Sequence, residues 1–232
     1  MFHKTRIALF LSITTTIVVS GCDSDDDASA VDLAPPAGIA EMSFFVTSNG
    51  IGDGGNLGGL AGADVHCANL AAEAGAEATE WRAYLSTTGD DGVNAIDRIG
   101  TGPWFNADGV QVASDAADLI SDGSNLNGLT AITENGDTVP GRGNMPNRHD
   151  MLTGTELNGL ASTQTTDTTC SNWTSNSSEG SAIVGHHDRS EPVVDFIVNQ
   201  GSFSTSHPSN GCSQADLQGT GGDGLFYCFV QN

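Results

Sequence analysis

Four cysteines, Cys67, Cys170, Cys212 and Cys228, restrict the fold of this 232-residue chain more than any other feature, because the chain opens with an export signal. Lys4 and Arg6 precede an apolar run, Ile7 to Val19, that ends in Ser20 and Gly21. That run is too short for a bilayer core of about 30 Å, which takes roughly 20 apolar residues, and its basic start and small-residue end are those of a cleaved signal. Residues 1–21 are therefore expected to be removed, and the rest to fold in an oxidising compartment. An even set of four cysteines there reads as two disulfides, with three connectivities open. A cysteine metal cluster is the weaker alternative, because no C-x-x-C spacing occurs.

Val19-Ser20-Gly21-Cys22 has the pattern of a lipobox, and Cys22 resembles the acylated first residue of mature bacterial lipoproteins. The resemblance implies lipidation at Cys22 and a stable membrane anchor, since two or three acyl chains hold where a single chain binds marginally. The stretch that follows opens with Asp23, Asp25, Asp26 and Asp27 and runs through Pro35-Pro36 with little to bury. Residues 22–41 thus read as a lipidated, acidic, flexible tether. Asp23 resembles the inner-membrane retention signal of enteric lipoproteins, but other bacteria sort by other rules. The periplasmic side of the inner membrane and the outer membrane or cell surface both remain open.

Beyond Cys22 the only strong cations are Arg82, Arg98, Arg142, Arg148 and Arg189, against 29 acidic residues and no lysine. Such a surface repels nucleic acid, heparin-like polyanions and anionic head groups, so these are excluded as partners. A solvated surface suited to salty surroundings accounts for the excess. Calcium binding is the functional reading of the same excess, since aspartates in glycine-rich turns supply hard oxygen ligands.

Residues 42–232 contain no second linker and read as one domain. Phe44 to Thr47 is expected as a strand and Asn49 to Gly62 as a glycine-rich loop. Ala63 to Ala76 is expected as a helix, with Val65, Leu70, Ala71 and Ala74 near helical spacing and Cys67 by the apolar stripe. Trp81 to Ser86 alternates as a strand, Ile96 to Ile99 is a weaker strand, and Asp115 to Ile120 a short helix. Gly123 to Asp167 reads as long irregular loop, where binding function usually sits. Ser181 to Val184 and Val193 to Val198 are short apolar runs, Gly219 to Gly224 a turn, and Leu225 to Val230 a buried strand. The fold class is α+β, with one or two helices, short strands, long loops and two disulfides.

Trp81-Arg82-Ala83-Tyr84-Leu85-Ser86 after a cysteine-bearing helix, then Cys170-Ser171-Asn172-Trp173, Cys212 and Phe226-Tyr227-Cys228, resemble the endostatin domain of certain collagens. That domain has the C-type-lectin-like fold. Phe45-Val46-Thr47-Ser48 together with Asn56 to Asp64 is also similar to a group of bacterial lectin-like surface lipoproteins. The resemblance covers nearly all of residues 42–232. It implies outer-to-outer and inner-to-inner cysteine pairing, Cys67 with Cys228 and Cys170 with Cys212. Loops of about 160 and about 40 residues would contribute at most about 5 and about 4 kcal/mol.

The sugar-binding calcium motif of that fold is degraded. Met145-Pro146-Asn147 puts methionine in the acid's place, Glu191-Pro192 continues with Val193, and His207-Pro208-Ser209-Asn210-Gly211 stands where a W-N-D strand would be. The candidate ligand-binding residues are Asn147, Arg148 and His149, with Trp104 as an exposed sugar-stacking surface. Arg148, His149 and Asp150 also admit a carboxylate-binding role or a plain ion pair. His186, His187 and Asp188 are the candidate metal ligands, although neighbours on a strand face opposite ways, so at most one histidine would converge with Asp188. No G-x-S-x-G, H-E-x-x-H or phosphate-cradling loop is present. The expectation is a non-enzymatic, lipid-anchored extracytoplasmic module that binds a glycan. A protein-binding adhesin or structural envelope lipoprotein is the alternative, and a metal-dependent hydrolase a more distant one.

Overall fold

The computed structural model describes residues 37–189 and 202–232. The signal, Cys22, most of the tether, Glu191-Pro192 and the run Val193 to Val198 lie outside the described residues.

Leu225 to Val230 carries large apolar side chains in succession, without the alternation of a strand that has one wet face. Such a run belongs between two layers, and it lies within β8 (Gly222–Val230), the longest strand among the described residues. Leu225, Tyr227 and Phe229 face one buried cluster with Phe44, Val46, Tyr84 and Trp104. Phe226 and Cys228 face another, with Phe45, Trp81, Leu152 and Trp173. Both edges of β8 are also occupied. β1 (Phe44–Val46) pairs with it antiparallel, Phe45 opposite Cys228, while β2 (Trp81–Ala83) takes the other edge with Ala83 opposite Cys228. Further along, β5 (Asp150–Leu152) joins β8 in parallel. β6 (Ile183–His186) and β7 (His207–Pro208) extend the sheet, giving the order β1-β8-β5-β6-β7 with β2 beside β8.

The main helix, α2 (Gly59–Ala74), starts four residues before the expected Ala63. Gly58, at φ +75°, lets the loop chain swing into the first turn, and Gly75, at φ +91°, closes the last. Ala63, Cys67, Leu70 and Ala71 face the sheet, whereas Val65, expected on the apolar stripe, is exposed. Within the stretch expected as tether, α1 (Ala37–Ala40) is a helical turn whose Ile39 is buried in the core.

Four further expectations are corrected. Gly219 to Gly224 is not a single turn, because the helix Gln214–Thr220 ends within it and β8 begins at Gly222. Ile96 to Ile99 is not a strand but part of a 3₁₀ turn, Ala95–Arg98. Its Arg98 reaches into the core, bonds the Ala83 carbonyl, and holds both Asp64 oxygens at 2.8 and 2.7 Å. The stretch 123–167 is not all loop, because Asp150-Met151-Leu152 forms β5 inside the main sheet; a three-residue strand with one charged member leaves no readable period. Trp104, expected exposed, lies in β3 (Trp104–Phe105), paired with β4 (Gln111–Ala113). It is fully buried against Phe229 and donates its indole N–H to the Val230 carbonyl at 3.1 Å. The short helix is α3 (Ala116–Leu119), capped by Asp115.

The cysteines form Cys67–Cys228 and Cys170–Cys212, the pairing the resemblance implied. The first ties α2 to β8. The second ends at Cys170–Trp173, named α4, whose four residues all have positive φ between 48° and 66°. A left-handed turn of non-glycine residues costs roughly 1–2 kcal/mol per residue. Hydrogen bonds hold it: Asp167 accepts from the Thr169 and Ser171 N–H, Asn172 exchanges bonds with the Thr88 backbone, and Trp173 donates to the Ser86 carbonyl. The last helix, α5 (Gln214–Thr220), follows Cys212 and leads into β8. Among the described residues no helix is long and apolar enough to cross a membrane.

Two outcomes follow for stability. Replacing Cys67 and Cys228 together by alanine removes a 161-residue loop closure and should cost up to about 5 kcal/mol in a denaturant melt, against about 4 kcal/mol for Cys170 with Cys212, whose separation is 42. Arg98→Met leaves the Asp64 carboxylate, which is only partly exposed, without its two-pronged partner; a loss of about 2–3 kcal/mol is expected by the same measurement.

Candidate functional site

Strand register brings polar side chains together at one end of the sheet. Asp150 stands opposite His186 in the antiparallel β5–β6 pair, so both side chains emerge on the same face. His207 stands opposite Val184, two residues before His186, and a two-residue step keeps the face. His149 precedes β5, and its ring lies on the His186 ring with centroids 4.0 Å apart and planes within 18°. Three segments distant in sequence thus supply one cluster.

Its centre is Asp150 Oδ1. The Nε2 atoms of His149, His186 and His207 stand 3.1, 3.2 and 3.7 Å from it. His186 Nε2 and His207 Nε2 are 3.0 Å apart. Asp150 and His186 are buried, His149 nearly so, and the His207 side chain is 35% exposed, which makes it the cluster's contact with solvent. Despite these approaches neither Asp150 oxygen accepts a hydrogen bond, because the ring N–H directions do not point at them. A buried carboxylate without donors is costly unless a cation or a proton sits with it.

Other bonds fix the orientation of the donors. His207 Nδ1 is 3.1 Å from the Pro208 carbonyl, which can only accept; Nδ1 therefore carries the hydrogen and, in the neutral ring, Nε2 presents its lone pair to the cluster. The His149 backbone N–H donates to Asn147 Oδ1, and its carbonyl accepts from the His187 N–H. Space is made by glycine: a Cβ on Gly221, whose φ is +134°, would stand 3.3 Å from His149 Nε2, and one on Gly222 would stand 3.1 Å from the Asp150 Cβ. Chemically the set can either hold a transition-metal ion or share protons among its imidazoles and carboxylate.

The sequence-predicted residues divide. Of His186, His187 and Asp188, only His186 enters the cluster. His187, next in the chain, points away; it is buried, and burial pushes its pKa down to about 4, so it is neutral at neutral pH. Asp188 sits behind His149, its Oδ1 3.5 Å from Nδ1, and its Oδ2 accepts from the Arg142 N–H at 2.7 Å. Of Trp104, Asn147, Arg148 and His149, only His149 is a member. Asn147 supports it through the backbone, and Arg148 forms an ion pair with Asp223 at 2.9 Å. Trp104 belongs to the core. Asp150 and His207 were not singled out as ligands, since no spacing motif links them and only strand register does.

Two open grooves adjoin. One, of about 480 Å³, is lined by Met145, Pro146, Asn147, Arg148, Gln218 and Asp223. The other, of about 350 Å³, runs past His207 between Gln164, Thr166, Thr168, Ser181 and Thr205.

The local backbone tolerates little change. A side chain on Gly185, between Val184 and His186, would collide with the Phe203 carbonyl and displace the chain leading to His207. Gly185→Ala should cost about 3 kcal/mol or more in a thermal or denaturant melt. Gly143→Ala, where φ is +87° but nothing lies within 4 Å, should cost only about 1 kcal/mol. No protein-family model matches this chain, and no curated protein matches it.

Proposed function

We propose that this chain is a lipid-anchored, extracytoplasmic binding module of C-type-lectin-like, endostatin-like architecture, and that its ligand is a glycan. The observation that carries the reading is the groove on the loop before β5. Asn147 and Gln218 bring side-chain amides to it, and Arg148 and Asp223 bring a guanidinium and a carboxylate. Amides and charged planar groups give sugar hydroxyls both donors and acceptors. These groups are held in advance. Asp223 accepts from Gln214 and Gln218 at 2.8 Å each, and its other oxygen meets Arg148. Preorganisation of this kind lowers the ordering cost of binding.

Support for the architecture comes from the α+β arrangement with few helices and two disulfides, and the disulfides suit an oxidising compartment outside the cytoplasm. The groove's groups are amides and a neutralised ion pair, suited to holding hydroxyls, so the reading is one of binding, not catalysis. A surface protein is the second reading; it is favoured by Met145, 95% exposed on the groove's rim, which offers an apolar anchor.

A glycan array probed with the mature, disulfide-formed chain tests the ligand class. Binding to a defined set of glycans is expected, with about a tenfold loss on Asn147→Ala combined with Gln218→Ala. A broad array without binding would contradict the glycan reading and favour the protein ligand. Anchoring is tested separately: Cys22→Ser should move the protein from the membrane fraction to the soluble one, and retention in the membrane would contradict lipidation.

A further inference from the structure

We infer that His149, Asp150 and His186 form a binding site for one divalent transition-metal ion of zinc's class, held by two imidazole Nε2 atoms and Asp150 Oδ1, with His207 on its open side. The spacing is that of ligands around a shared ion. Metal–nitrogen and metal–oxygen bonds of roughly 2.0–2.2 Å place neighbouring tetrahedral donors roughly 3.3 Å from one another. The His149 and His186 Nε2 atoms stand 3.1 and 3.2 Å from Asp150 Oδ1. Ligand atoms of His149, Asp150 and His186 all lie within 4.8 Å of one another.

Hydrogen bonding accounts for the contact between His186 and His207 but not for the approach of the imidazoles to Asp150. With Nδ1 donating to Pro208, neutral His207 turns an acceptor toward a buried carboxylate oxygen that itself accepts nothing. Like partial charges at 3–4 Å in a dry setting repel unless a cation lies between them. Among the described residues no arginine forms an ion pair with Asp150. Behind His149 the Asp188 carboxylate stands 3.5 Å from Nδ1, close enough to balance charge on a metal-bound imidazole although it accepts no hydrogen bond from it.

Donor chemistry selects the ion. Two imidazoles and one carboxylate with an open position suit zinc and its neighbours, whereas calcium takes six to eight oxygens. The ion enters past half-exposed His207 from the hydroxyl-lined groove of Thr168, Ser181 and Thr205, so a solvent or ligand oxygen can reach the metal on that side. The inference is independent of the glycan reading, and its readout is the ion alone.

The test titrates cobalt(II), then zinc, into the disulfide-formed protein after chelator treatment and dialysis. One cobalt per chain is expected, with the visible d–d absorption of a low-coordinate nitrogen–oxygen site, displaced by zinc with a rise in melting temperature. His149→Ala, which removes a ligand from the loop before β5, should lower affinity about 100-fold or more, while His66→Ala, on α2 and away from the cluster, should leave it unchanged. Near-UV circular dichroism establishes that each variant is folded. Several weak equivalents without the absorption band would place the ions on the acidic surface and overturn the inference. So would the absence of binding by folded protein, or equal affinity in the two variants.

Discussion

The rest of the structure depends on β8, a strand occupied on all four sides. β1 covers one edge, β2 and β5 share the other, and aromatic layers cover both faces. A continuous apolar run is stable in that position and no other. Cys228 sits within it, and the bond to Cys67 fixes the main helix to the strand's inner face. The other end of β8 begins at Gly222, where a missing side chain lets β5 dock in parallel and deliver Asp150. The core and the polar cluster are thus consequences of one strand's placement.

At the cluster the opposing requirements are those of charge and burial. The chain has a large acidic excess and few cations, and these cations are used where carboxylates lie close: Arg98 on Asp64, Arg148 on Asp223. Asp150, among the most buried of the acids, faces three imidazoles instead. In a chain so short of cations a divalent ion is the counter-charge that the surrounding donors fit, and it would cross-link β5 to β6. The groove lined by Asn147 and Arg148 adjoins the cluster on the loop before β5.

Much of the fold was legible because its signals are local. Phe44 to Val46, Trp81 to Ala83 and the terminal run reveal strands by β-branched and aromatic content, and the glycines around α2 mark its ends to within a few residues. The left-handed turn at Cys170 to Trp173 and strand β5 were not legible, because each is imposed by distant partners: Asp167, Thr88 and the Cys212 bridge for one, β6 and β8 for the other. Trp104 was misplaced for a related reason. An aromatic pair beside glycine and proline reads as an exposed loop until Phe229 closes over it.

The site was half legible. Strand alternation correctly separates His186 from His187, and the loop carrying His149 stood out by its charge. What could not be read was that His207, next to a proline and near a cysteine, lies diagonally across from Asp150, since register in a short edge strand leaves no trace in spacing. The most direct measurement of the central claim is diffraction from zinc-soaked crystals at the zinc absorption edge. The account predicts one anomalous peak per chain, roughly 2.0–2.2 Å from Nε2 of His149 and His186 and from Asp150 Oδ1. A map with zinc only on surface carboxylates, and no peak among these three atoms, would contradict it.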